Sequence, residues 1–479
     1  MNRTGSTQPT RRWPRWLKAL LGIGVVILLV VGTVFLLGVA ATTRWRVFAA
    51  GLREQGQPLT FAEIEALRAT VPEDRNGARV IERLSARLEE IKKGGVEPAV
   101  LVFGWEGGDY TILTGIPRYT LEPSRAFRDR HADLLDELAA LRDTPTGRFD
   151  VDYETDPTQS LLPNLTPLRN ASRLLYLDGL LGMIDGDVAG SVNDIALQFN
   201  LANTLYDEPV LISQLVQMAL EALIVQEIES ILRVGEIDEA QLHFLEGLVS
   251  SQLASETMKW ALWGERAFFL KTCEGIGQGR LSLSSVTSGV NDPATTFPFP
   301  MLGFPWWLVR NNQLRGAEMY GWLVDAADDP RSLIDAARRI EVEMPRLGPT
   351  QILVKTMMPT LTFAMQLHVR IGAHLECVRT SLVAERFRLI TGRLPNSLAE
   401  LVPDYLEAVP TDPFDGQPLR MAVKESGIVI YSIGMDEIDN GGIVARNKDW
   451  KRPPDTGFRL LPLDQRGLRI TDQPPPNND

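Results

Sequence analysis

The run Ala19–Thr43, 25 uncharged residues dominated by Leu, Val, Gly and Ala, constrains this chain more than any other feature. At 1.5 Å per residue, a helix of that length crosses a hydrocarbon core of about 30 Å with some tilt, and only a helix satisfies its own backbone there. The expectation is one membrane-spanning helix over residues 19–43. The alternative is a cleaved signal peptide, whose apolar core is usually about 7 to 15 residues long. Val39-Ala40-Ala41 would serve as its small-residue cleavage site. Arg3, Arg11, Arg12, Arg15 and Lys18 precede the run, Arg44, Arg46 and Arg53 follow it, and Trp13, Trp16 and Trp45 flank it. The excess of bases on the N-terminal side predicts a basic cytoplasmic tail over 1–18, with everything from Arg44 onward on the other side of the membrane.

Charge narrows the partners of that exported part. The formal net charge is −12, and removing the +5 of the first 18 residues leaves −17 on the remainder. That is the wrong sign for neutralising phosphates, so nucleic acid is excluded as an expected partner. With 44% hydrophobic and 23% charged residues the composition is that of a folded globular protein. Cys273 and Cys377 are the only cysteines, so there is neither a disulfide framework nor a CxxC motif. They read as two buried thiols or as one bridge between two helices.

Apolar residues recur at three and four positions from Thr60 to about Leu253, the mark of successive amphipathic helices. Thr60 with Glu63 forms a capping box opening the first, and Pro72 with Asn76-Gly77 punctuates the next connection. Residues 99–121, with four glycines among β-branched and aromatic residues, predict a short hairpin or ordered loop, and Ser124 is the expected start of the following helix. Leu168 to Met183, Val188 to Tyr206 and Val210 to Val234 read as antiparallel helices joined by short turns, continued by Asp238 to Leu253 and Ser255 to about Cys273. The pattern resembles an α-solenoid, without a fixed period that would make it a tetratricopeptide array. Residues 281–305 interrupt it with a Pro- and aromatic-rich loop, read either as a segment dipping into the membrane interface or as a plug of the helical array. Helices resume near Gln313 to Ala327 and Pro330 to Val342, and a long helix is expected over 360–390, opened by Pro359 and stopped by Gly392.

Beyond it the sequence reads Gly392-Arg393-Leu394-Pro395, a Leu-rich Ser397 to Leu401, Val409-Pro410-Thr411-Asp412-Pro413, Asp415-Gly416 and Tyr431-Ser432-Ile433-Gly434. Leu419 to Val423 and Ile428 to Ser432 pair as two strands about a Glu425-Ser426-Gly427 turn. This succession resembles the globular core of type II secretion major pseudopilins, in which a long helix, a short helix and a Leu-Pro-x-Asp-Pro segment lead into a small antiparallel sheet. It also looks like the C-terminal part of bacterial envelope proteins with an N-terminal anchor and a helical middle. The resemblance covers about 60 of the 479 residues. It implies a calcium loop after the last strand, with Asp436 and Asp439 as metal ligands; an Asp/Gly turn without metal is the alternative reading. The processed Gly-Phe-Thr-Leu-x-Glu signature of the family is missing, and a long helical region separates the anchor from the module.

HExxH, GxSxG and GxxxxGK[ST] patterns do not occur. Gly275, Gly277 and Gly279 form a GxGxG string after a helix rather than a strand, where a flexible helix end explains it. Asp150, Asp152, Glu154 and Asp156 alternate, so an extended segment would set four carboxylates on one face, as a solvated edge or as an acid/base group. His368 and His374, six apart on the long helix, do not share a metal-binding face, and His131 and His243 stand apart from other ligands.

The expected fold class is mainly α: one N-terminal transmembrane helix, an exported helical-hairpin array over 44–280 continued over 306–383, a small α+β pseudopilin-like module over 384–461, and a flexible tail over 462–479. The expected location is the bacterial cytoplasmic membrane, single-pass, with the N-terminus in the cytoplasm and the bulk extracytoplasmic. The expected function is non-catalytic: a membrane-anchored protein presenting a helical interaction surface to an envelope protein partner in assembly or secretion. Its competitors are an exported hydrolase using acidic residues and a component of a secretion-system pseudopilus.

Overall fold

The structure, a computed structural model, describes residues 14–93, 116–154, 162–281, 305–425, 427–444 and 455–472. Most of the expected hairpin, the aromatic stretch up to Phe304 and Asp156 lie outside the described residues. The chain is mainly helical with a small sheet, and it divides into two compact units.

The first unit holds residues 1–57, 269–318 and 347–356. Helix α1, Arg15–Glu54, contains the apolar run, with a mean hydropathy of 3.0 over its most apolar stretch and none of that stretch buried against protein. It is apolar enough to cross a membrane. The hydroxyls of Thr33, Thr42 and Thr43 donate to the carbonyls of Leu29, Gly38 and Val39, so the polar groups within the run are satisfied internally. The helix continues past Thr43 because nothing in residues 44–54 breaks it; the turn comes at Gly56, with φ +74°. In the same unit, Gly277 lets its backbone approach Trp306 and Val309, where a Cβ would stand 2.9 Å from Val309. Arg310 stacks over the Trp306 ring at 4.5 Å. Asn312 accepts from the amides of Leu353 and Val354 and donates to Thr350 O.

The second unit holds residues 58–268, 319–346 and 357–479 and contains the main hydrophobic core. Thr60 caps α2, Phe61–Leu67, by accepting from Glu63 N at 3.2 Å, and Glu63 reaches back to Leu59 N, one residue short of a full capping box. Next come α3, Gly77–Lys93, and a short strand β1, Ile116–Pro117. Helix α4, Arg118–Arg130, begins before the expected Ser124 and carries Pro123 inside it. The hydroxyls of Thr120 and Ser124 donate to Pro117 O and Thr120 O, binding the first turns together where proline has no N–H to give. After α5, Ala132–Leu138, three long helices follow: α6, Leu162–Asp185, α7, Val188–Asn203, and α8, Leu211–Val234. They pack against one another, with α3 on α6. Helix α8 is also long and apolar enough to span a membrane, but its apolar stretch is 61% buried and it is a core helix here.

Asp238 caps α9, Glu239–Leu253, in a full capping box with Gln241. Helices α10, Thr257–Gly277, and α11, Trp306–Ala326, each contribute to both units. Pro330 opens α12, Pro330–Glu343, and α13, Ile352–Met357, leads to α14, Pro359–Thr391, which Gly392 ends in the left-handed conformation as expected. Helix α14 packs on α8, α9 and α12 and, on the other side, carries the sheet.

That sheet has three antiparallel strands in the order β2, Arg420–Lys424, β3, Gly427–Ser432, β4, Thr456–Leu460, one more than the two expected. Asp412, fully buried, ties the module together: it accepts from Phe414 N, Ser432 Oγ and Ile433 N at 3.0, 2.8 and 2.9 Å and faces Arg420. The tail expected from residue 462 is structured as far as Asp472. Its strand β5, Ile470–Thr471, pairs in parallel with β1, and Gly467 N–H donates to Arg233 O.

Candidate functional site

Among the mainly apolar residues of the first half of α8, Gln214, Gln217 and Glu221 recur at three and four positions and so share one face. Opposite that face, α14 presents His368, Gly372 and Glu376, and between them lies a cleft of about 300 Å³, at the lower limit of pockets that hold small ligands. The end of α9 supplies Gln252 and Leu253, and the Asp412 segment closes the rim with Pro410, Thr411 and Pro413. Every wall belongs to the second unit.

Glu221 is the chemical centre. Its Oε1 accepts from Gln252 Nε2 at 2.6 Å and from Gln217 Nε2 at 3.3 Å, while Oε2 has no hydrogen-bond partner among the described residues. Burial pushes its carboxyl up to about 7, against the opposing pull of the two glutamine donors. His368 makes no hydrogen bond among the described residues, and burial lowers its imidazole to about 4, so it is neutral at physiological pH. Glu376 is engaged by Arg379 one turn on. Among the described residues no Lys or Arg side chain lines the cleft, and its aromatic ring is the His368 imidazole.

A second group of buried acids sits inside α6, α7 and α8. Gln198 donates to Glu227 and Ser172 donates to Gln198 at 3.1 Å. Burial, aided by Asp178 and Asp187, pushes Asp194 up to about 8, and burial and Asp194 raise Glu227 well above the carboxylate range. Gly179 lies against Glu227 so closely that any Cβ would overlap the carboxyl. With no space at the acid, this group packs the bundle rather than meeting a ligand.

The residues singled out in the sequence fall elsewhere. Among the described residues Asp436 accepts only from Ile438 N, at 3.2 Å, and Asp439 accepts from Gly441 N at 2.8 Å and Tyr431 OH at 3.0 Å and pairs with Arg420 at 3.1 Å. A cation at Asp439 would have to displace that guanidinium. The loop is organised instead by Asp455, which accepts from the amides of Asn440, Gly442 and Ile443. Asp150, Asp152 and Glu154 do not form an extended face: Asp152 accepts from Glu154 N, closing a turn, and Glu154 accepts from Ala62 N at the start of α2. That correction comes from Tyr153, whose buried ring stacks on Phe61 at 5.6 Å and bends the segment inward. Gly275 and Gly277 lie within α10, with only Gly279 in the loop expected for the glycine string. His131 packs edge-on against Phe127 at 4.7 Å, and His243 is exposed beside Glu246. Cys273 and Cys377 are free and buried. Among the described residues no three His, Cys, Asp or Glu groups are placed to hold a metal ion.

Of the cleft residues the sequence singles out His368, as a histidine without a metal-sharing partner, and Pro330, Pro410, Thr411 and Pro413, for a helix start and for the pseudopilin resemblance rather than for a site. Glu221 was missed, although two glutamines and a glutamate on one face of an apolar helix are the signal that marks it. Comparison with protein families, curated proteins and solved structures gives no match for this chain.

Proposed function

We propose that this is a single-pass, membrane-anchored protein of the bacterial envelope whose extracytoplasmic helical body binds a small ligand group in the α8–α14 cleft. It acts by holding that ligand, not by transforming it. The observation that carries this reading is the open Oε2 of Glu221 beside the unpaired His368 in a cavity of ligand size. An acceptor that lacks a protein partner and opens on a cavity is left for water or a ligand to meet. The pseudopilin-like module supports the cleft by supplying its Pro410–Pro413 rim, held by Asp412. The exported-hydrolase reading draws on the same pair, an acid titrating near 7 beside a neutral imidazole.

Gly372 gives the test. It lines the cleft, a Cβ there meets nothing within 4 Å, and a leucine on a helix is favoured over glycine. Full-length protein in lipid nanodiscs is screened against a fragment library by thermal melting. Fragments that raise the melting temperature of the wild type are expected to have no effect on Gly372→Leu, which itself melts no lower. Equal responses from both proteins would remove the cleft from the account. A fragment turned over by the wild type but not by Glu221→Gln would favour the hydrolase.

A further inference from the structure

On the α8–α9 wall of the cleft the side-chain oxygens left without partners are those of Gln and Glu, and they are acceptors, while the hydroxyls of Ser255, Thr257 and Thr411 and the His368 ring elsewhere on the lining can also donate. Gln214 Nε2 donates to Leu205 O, and Gln217 and Gln252 spend their side-chain nitrogens on Glu221 Oε1. Glu221 Oε2 and the carbonyl oxygens of the three glutamines receive no hydrogen bond among the described residues, and Gln217 Oε1 is sealed from water. A ligand that completes this wall must bring donors. An anion finds no Lys or Arg on the described lining, and a sugar or aromatic ring finds no Phe, Tyr or Trp to stack on. Met218, Leu253 and Leu375 add aliphatic surface beside the oxygens. Donors at one end and methylenes behind them describe an alkylammonium.

Resting on the binding role argued above, we propose that the cleft takes a primary ammonium group on an aliphatic arm, with Glu221 Oε2 and the side-chain oxygens of Gln214 and Gln252 as its acceptors. The ammonium is carried either by a free diamine or polyamine or by a lysine side chain of a partner protein. Binding requires Glu221 as the carboxylate, so a neutral Glu221 gives up its proton to solvent as the cation enters. The other titratable groups on the lining are His368, neutral and without charge to repel the ligand, and Glu376, already paired with Arg379.

Titration calorimetry on the full chain in nanodiscs tests this with four probes: cadaverine, Nα-acetyl-lysine methylamide, 1-pentanol and pentanoate. Both amines are expected to bind, at least about tenfold tighter than pentanol, and Glu221→Gln is expected to lose at least about tenfold, the worth of a charged hydrogen bond. At pH 6, in two buffers of different ionisation enthalpy, amine binding is expected to release protons, and at pH 8.5 to release none. Cadaverine binding tighter than the lysine derivative assigns the ammonium to a free amine; the reverse assigns it to a protein. The proposal is overturned if pentanol or pentanoate binds as tightly as the amines, if neither amine binds, or if Glu221→Gln leaves amine affinity unchanged. If pentanol binds as tightly as the amines and loses that binding in Gly372→Leu, the cleft stays a binding site while the ammonium falls. No probe responding to Gly372→Leu would bring down both.

Discussion

Glu221 is a group whose protonation must show in the stability of the whole chain. Its carboxyl titrates near 7 when folded against an ordinary value of 4.5, so the folded state keeps its proton over a range where the unfolded state has lost it. The stability it allows is therefore full below about 4.5 and falls as pH rises through 7. Each pH unit between those two values costs the wild type about 1.4 kcal/mol, so Glu221→Gln should be close to neutral at pH 5 and more stable than wild type by up to about 3 kcal/mol at pH 8. Denaturant unfolding at the two pH values measures it, and a variant weaker at pH 8 than at pH 5 would contradict the buried neutral acid. Asp194, near 8, and Glu227 add to the same slope in the wild type. Asp439 contributes in the opposite sense: the Gly441 amide, Tyr431 and Arg420 hold it below the carboxylate range.

At the scale of elements, glycines separate close helix packing from mere helix weakness. In α10, Gly264 lies on Pro209, and a Cβ there would overlap the Pro209 carbonyl oxygen, whereas in α11 a Cβ at Gly321 meets nothing within 4 Å. Gly264→Ala is expected to lower stability by about 2 kcal/mol or more through forced separation of backbone and helix, and Gly321→Ala to raise it by about 0.5 to 1 kcal/mol. Thermal melting of the two variants in parallel checks this, and equal effects would deny the close approach. Elements of this kind were legible where the determinant is local: Thr60, Asp238 and Pro330 open helices and Gly392 closes one from signals within four residues. Strand β4 was not legible, because its place is set by Arg370 and Cys377 of α14, which hydrogen-bond Thr456 from far along the chain. The cleft was unreadable for the same reason. Its walls come from segments remote in sequence, and only the Gln214, Gln217, Glu221 stripe on α8 announces one side of it.

At the scale of the whole molecule, the proposed function joins a membrane anchor to a ligand-holding body. None of the most apolar stretch of α1 is buried and its hydroxyls are satisfied within the helix, as in a spanning helix, while α8, at a mean hydropathy of 1.4 against 3.0, turns Gln and Glu side chains toward protein. The base asymmetry around α1 predicts that alkaline phosphatase fused after Glu54, the end of α1, or after Asp479 is active in bacterial cells; inactivity of both fusions would invert the topology. The central claim, that function resides in the α8–α14 cleft, is tested most directly by native mass spectrometry of the full chain in nanodiscs drawn from the membranes in which it is made. The account predicts a small-molecule or peptide adduct of defined mass on the wild type that is missing from Gly372→Leu. Identical spectra for the two proteins, with lipid as the only companion of each, would contradict it.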